Sequence, residues 1–256
     1  MARISFAFFA AVILFVDLAL PVVRLAQAAE IKVMSSAGYS GAINELSRRF
    51  ESQTKHKVVL DYEVNAVLRR RIDGGEAFDV AILSPEMIDQ LATAGKIAPD
   101  SRATLGRIGM GLGVRRGGPK PDMKSQEALR RALLEAKSVA YSREGSSGRT
   151  FFALLDRLGI TEEMKPKVKA VGAPTIKAVI NGEAEFVFTS VGAILSDSAV
   201  ELIGRLPTEL QTYVMPTVGV STAAKEPSAA DAFFRFLTSP AAAPALEAYG
   251  VDAIKP

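Results

Sequence analysis

The 256-residue chain has no cysteine, no tryptophan and a single histidine, His56. Without cysteine there is no disulfide, no thiolate metal centre and no sulfur nucleophile. One histidine excludes a multi-histidine metal site. It leaves any Ser-His-Asp arrangement dependent on His56, which lies between Lys55 and Lys57 in what reads as a surface turn. A surplus of one charge is also missing. Lys and Arg total 31, Asp and Glu 28, and the net charge is +3. That is too little to mark a nucleic-acid binder. The run Arg69-Arg70-Arg71 does not alter this, because consecutive helical residues point about 100° apart. No aromatics interleave with it for base stacking, so it reads as a solvated helix face.

Beyond residue 28 there is no long apolar run. Before it, Phe6 to Leu20 is apolar apart from Asp17, with Arg3 ahead and Ala26-Gln27-Ala28 behind. This is the pattern of a cleaved secretion signal over residues 1–28, and it predicts a soluble, periplasmic product. Asp17 and Pro21 argue against a retained membrane anchor. Cleavage removes Arg3, Arg24 and Asp17 and takes the net charge from +3 to +2. The remaining length suits one large domain or two lobes.

Short apolar runs alternate with longer amphipathic ones through the rest of the chain, the signature of an α/β protein. Two strand–turn–helix units stand out. In the first, Ile31–Met34 reads as a strand. Ser35-Ser36-Ala37-Gly38-Tyr39-Ser40-Gly41 reads as a turn, and Ala42, Ile43, Leu46 and Phe50 fall at helical spacing. In the second, Ser138–Tyr141 is the strand, Gly145-Ser146-Ser147-Gly148 the turn, and Phe151, Leu154, Leu155 and Leu158 the helix face. A small-residue turn entering a helix presents free backbone N–H groups and a partial positive charge, which together hold an anion. Either turn alone could be an ordinary βα loop with a good N-cap. Two of one kind favour a site, with Ser35, Ser36, Gly38, Ser146, Ser147 and Gly148 as candidates.

Other segments fit around these. Val58–Tyr62 and Phe78–Leu83 read as strands, with a helix from Val67 between them. Ser84-Pro85-Glu86 reads as a helix start. Gly109, Gly111 and Gly113 approach a dinucleotide-binding spacing, but Arg115-Arg116-Gly117-Gly118-Pro119 follows where a helix would be needed. The stretch reads instead as a strand crossing between lobes. Ser125 to Ala136 is predicted helical, Val168–Val171 a strand, Gly172–Thr175 a turn. Glu185–Ser190 is a strand with Thr189 and Ser190 at its carboxyl end, where open α/β sheets bind ligands. Tyr213–Val220 reads as a return strand. Ser228 and Asp231 have capping-box-like spacing after Pro227, and Ala241–Tyr249 reads as the last helix.

This order resembles the type II periplasmic solute-binding proteins, and among them the molybdate-binding branch. The likeness is carried by Ile31–Phe50, by Asn65 to Val80, by Asn181-Gly182-Glu183-Ala184-Glu185, and by Ala232 to Pro240 with Tyr249-Gly250. It implies an α/β fold of two lobes, each a mixed sheet flanked by helices. Lobe 1 would be 29–112 plus 215–256, and lobe 2 would be 113–214. It further implies a monomer that binds a small anion in the interlobe cleft and hands it to an ABC permease in the inner membrane. No cofactor, metal, nucleic acid or catalysis is implied. The family's ligand contacts fall at Gly38 or its neighbours Ser35, Ser36 or Ser40, at Asn65, at Ser147 beside Ser146 and Gly148, near Gly172 to Thr175, and at or near Ser190, beside Thr189. The family's usual serine, serine and tyrosine are Gly38, Asn65 and Ser190 here. This predicts a retained anion cradle with altered selectivity, favouring a small carboxylate over a tetrahedral oxyanion. Two other readings stand beside transport. One is an anion sensor or scavenger. The other is an enzyme like the dehydratases related to solute-binding proteins, with Glu144 the acid nearest the cradle.

Overall fold

The computed structural model describes residues 28–254; the secretion-signal reading of residues 1–28 lies outside them but for Ala28. The chain enters with β1 (Glu30–Ser36), a 3-10 turn at Ala37–Tyr39, and α1 (Ser40–Thr54). Next come β2 (Lys57–Glu63), α2 (Asn65–Asp73), β3 (Val80–Leu83), α3 (Pro85–Thr93) and β4 (Ala103–Thr104). The long β5 (Arg107–Arg115) leads to α4 (Gln126–Glu135), β6 (Val139–Ser142), α5 (Ser146–Leu158), α6 (Thr161–Met164) and β7 (Val168–Val171). Then follow α7 (Lys177–Ile180), β8 (Phe186–Ser190), α8 (Val191–Ile194) and β9 (Val200–Arg205). The chain returns through β10 (Tyr213–Val214) and β11 (Thr217–Val220) to α9 (Pro227–Thr238), α10 (Ala243–Ala248) and β12 (Val251–Asp252).

Two mixed sheets result. The first runs β2-β1-β3-β11-β4, with β11 antiparallel among parallel neighbours. The second runs β5-β8-β6-β7, with β9 also on β5. Strand alternation sorts the residues of β1. Ile31 and Val33 pack in one core with Ile43, Leu46 and Phe50 of α1, while Met34 packs in another with Leu68 and Ile72 of α2. Each fully buried Leu, Ile or Phe contributes roughly 1.5–3 kcal/mol. In the second sheet α5 lays Phe151, Leu154, Leu155 and Leu158 onto the core, with Phe151 stacked on Phe188 at 4.7 Å.

β5 is shared. Its start pairs with β10 and β12, and its later residues, from Met110 onward, pair with β8 and β9. The glycine-spaced run is therefore interior strand with no helix after it. A second junction lies at α8. Its Val191 belongs to the core of the first sheet, with Ile108 and Ala42. A Cβ on Gly41 of α1 would sit 2.6 Å from the Gly192 carbonyl oxygen, so the two backbones touch there. Ser190 Oγ donates to the Gly38 carbonyl at 2.7 Å across the same contact.

Three local expectations are corrected. Tyr213–Val220 is broken into β10 and β11 around Pro216, which has no N–H to give a ladder. Ser228 and Asp231 form no capping box, because Pro227 is the first helical residue and Asp231 pairs with Arg235 at 2.6 Å. The last helix is a 3-10 turn at Pro240–Ala242 followed by α10. No helix among the described residues is long and apolar enough to cross a membrane.

Candidate functional site

A cavity of about 60 Å³ lies between the sheets. Ser36, Gly38, Tyr39 and Asn65 line it from the β1–β3 side, and Ser142, Gly145, Ser147, Thr175, Thr189 and Ser190 from the β6–β8 side. Met110 and Val214, where the chain passes between the sheets, close it. Ser36, Gly38, Ser40, Asn65, Ser147, Thr175, Thr189 and Ser190, all expected from sequence, therefore meet around one space.

Local geometry explains the assembly. α2 begins at Asn65 behind Val64, and α5 begins at Ser146 behind Gly145; neither N-cap has a side-chain hydrogen bond. Val64 and Gly145 both line the cavity. Two helix N-termini of nine and thirteen residues thus meet it from opposite sides with uncapped first turns. Ser142 Oγ accepts the Gly145 N–H at 3.0 Å and fixes the second turn. The hydroxyls of Ser36, Ser40, Ser147, Thr175 and Thr189 have no hydrogen-bond partner among the described residues, and all five residues face the cavity. Asn65 Oδ1 is buried and unpartnered. Tyr39 is the only ionisable side chain in the lining among the described residues. Burial, and secondarily the charge of Glu86, push its phenol well above the usual tyrosine range.

Three expected residues behave differently. Ser35 is fully buried and does not line the cavity. Alternation along β1 turns it to the face of Ile31 and Val33, and its hydroxyl only reaches the Ser36 carbonyl at 3.4 Å. Gly148 is a packing position: a Cβ there would lie 2.3 Å from the Ser142 carbonyl oxygen, so glycine is what lets α5 close onto β6. The side chain of Ser146 lies outside the described residues. Ser190 lines the cavity, yet its hydroxyl is committed, donating to Gly38 and accepting from the Ala193 N–H. Tyr39, Met110, Ser142 and Val214 were not foreseen. Ser142 could have been found, because it precedes the Gly145 turn at the distance of a side-chain turn cap. His56 takes no part: its Nδ1 accepts the Ala29 N–H at 3.1 Å and its ring stacks on Phe50. Glu144 pairs with Arg70 at 3.5 Å.

Comparison with known proteins agrees with this architecture. The chain is 27% identical over 230 residues to an aconitate isomerase from a Pseudomonas species, covering 88% of both chains. It is 26% identical over 233 residues to the molybdate-binding protein ModA of Azotobacter vinelandii, covering 88% of this chain and 90% of that one. The solved periplasmic molybdate-binding protein of Azotobacter vinelandii superposes with a TM-score of 0.75 at 18% identity, over 88% of this chain and all of that one. Two mixed sheets meeting at a polar, uncharged cavity, in a sequence whose residues 31–252 match the family pattern, place the chain among the bacterial extracellular solute-binding proteins.

Proposed function

We propose that the protein is a periplasmic binding protein that captures a small anion, a molybdate-like oxyanion or a small carboxylate, between two lobes for ABC-type import. Lobe 1 is 29–112 plus 215–256 and lobe 2 is 113–214. One observation carries this reading: an uncharged cavity holds five uncommitted hydroxyls, those of Ser36, Ser40, Ser147, Thr175 and Thr189, and the uncapped starts of α2 and α5. Ser36, Asn65, Ser147, Thr175 and Thr189 contribute side chains to the ligand, and Gly38 and Ser190 form the floor. Neutral donors can hold an anion because each bond to a charged acceptor contributes about 1.5–3 kcal/mol. Size supports a small ligand. The cavity is about 60 Å³, well below the several hundred Å³ of a drug-sized pocket. After removal of the leader the protein works as a monomer in the periplasm and delivers its ligand to an inner-membrane permease.

A thermal-shift screen against molybdate, tungstate, sulfate, phosphate and small carboxylates tests the reading, since a ligand that binds only the folded form raises Tm. At least one anion raises it in the wild type, and Ser147→Ala reduces the shift. No shift with any anion overturns the proposal.

The aconitate isomerase relative raises a second reading, catalysis in the same cavity. Moving a proton along a carboxylic acid needs a group that exchanges protons near neutral pH. The lining offers only Tyr39, whose phenol is pushed the other way. Binding without turnover is therefore favoured. Conversion of cis- to trans-aconitate followed by NMR, abolished in Tyr39→Phe, would reverse that ranking.

A further inference from the structure

A second space adjoins the inner cavity at the cleft mouth. It is about 400 Å³ and shares Val64, Ser142 and Ala173 with the inner wall, so the two are neighbours across those residues. Its character is opposite. Where the inner cavity carries no charge, Glu63, Arg143 and Glu144 line the outer one.

The pairing of these charges decides what the outer space can hold. Glu144 is neutralised across the cleft by Arg70 of α2 at 3.5 Å. Glu63 accepts the N–H of Val64 at 3.2 Å and has no cation within ion-pair distance among the described residues. Arg143 has no carboxylate within ion-pair distance among the described residues; its guanidinium only reaches the Ala170 carbonyl at 3.5 Å. Its backbone is fixed, the N–H donating to the Val171 carbonyl at 2.9 Å. A guanidinium on a fixed backbone, without an acid partner and facing a roomy space, suits a carboxylate, which it can take with two parallel bonds.

We infer that the natural ligand is a dicarboxylate spanning both chambers, with one carboxylate in the neutral inner cavity and the second held by Arg143. This rests on the anion-binding reading above and sets the ligand class within it. The inner cavity is small, about 60 Å³, so a longer acid extends past Val64 and Ala173 toward the mouth. Glu63 penalises any additional negative charge there and limits the outer chamber to one carboxylate.

The test is isothermal titration calorimetry of the purified protein with acetate, succinate, glutarate and molybdate. Wild type binds succinate or glutarate at least tenfold more tightly than acetate. The exposed change Arg143→Gln removes that advantage and leaves acetate and molybdate within twofold. Ser147→Ala, inside, weakens every anion that binds. The inference fails if acetate and the dicarboxylates bind equally, if Arg143→Gln weakens all anions alike, or if only molybdate binds. In the last case the anion-binding reading survives without it. If no anion binds and Ser147→Ala changes nothing, both readings fall together.

Discussion

The inner cavity and the cleft mouth are separated by three shared wall residues, yet they are built on different physics. Inside, polar atoms are hydroxyls, an amide and backbone N–H groups held by strands and helix starts. At the mouth, long charged side chains stand half in solvent, as with Arg70 and Glu144. The inner wall is preorganised, so it discriminates by geometry and loses little to salt. The mouth works through charge in a high-dielectric setting, where screening is strong and single pairs are weak. Binding should therefore be steep in the inner residues and shallow in the outer ones, except where Arg143 takes a carboxylate directly with two parallel bonds.

The largest break of that contrast is Ser147→Leu. Filling the cavity removes anion binding by roughly 100-fold or more, at about 1.4 kcal/mol per tenfold, while circular dichroism stays that of the wild type. Asn65→Ala comes next. It weakens binding about tenfold in calorimetry, but Tm holds or rises, because the substitution deletes a buried acceptor that has no partner. A matching fall in Tm would show that Asn65 is structural. Arg70→Gln at the mouth changes affinity by no more than about twofold at low salt, and the difference vanishes at high salt. The smallest effect lies outside both regions. Hydrogen bonds from Arg71 and Lys32 hold the Glu76 carboxyl down at about 2. A lowered pKa means stability that is present above the usual glutamate range and is lost as pH falls toward 2. Glu76→Gln flattens the fall of Tm between about pH 4.5 and 2 and leaves anion affinity at neutral pH untouched.

Periodicity made much of this legible in advance. The buried face of α1 is Ala42, Ile43, Leu46 and Phe50, and that of α5 is Phe151, Leu154, Leu155 and Leu158, as the spacing predicts. Both small-residue turns reach the same cavity. What could not be read were elements without a period of their own. Val191–Ile194 is buried on all sides and only four residues long, too short to show a helical period, and its start is marked only by the Ser190 cap. Strands of two residues, such as β10 and β12, are too short to carry alternation. In the site, Met110 and Val214 arrive through long-range pairing of β5 with β10, which local sequence cannot encode. Ser35 was misplaced because a run of adjacent serines does not say which face of β1 each one takes.

α8 has a consequence for how the molecule folds. Val191 is buried at 1% exposure in the core of the first sheet although its neighbours in the chain belong to the second. With Ile108 and Leu202 also joining that core, the two halves share apolar surface that neither can bury alone. Unfolding one half strips the other of side chains it depends on, so the expected outcome of a denaturation experiment is one transition shared by both halves, and two separate transitions would refute the coupling. Residues 113–214 expressed alone would expose Val191 to water and populate an aggregation-prone state in place of an independent domain.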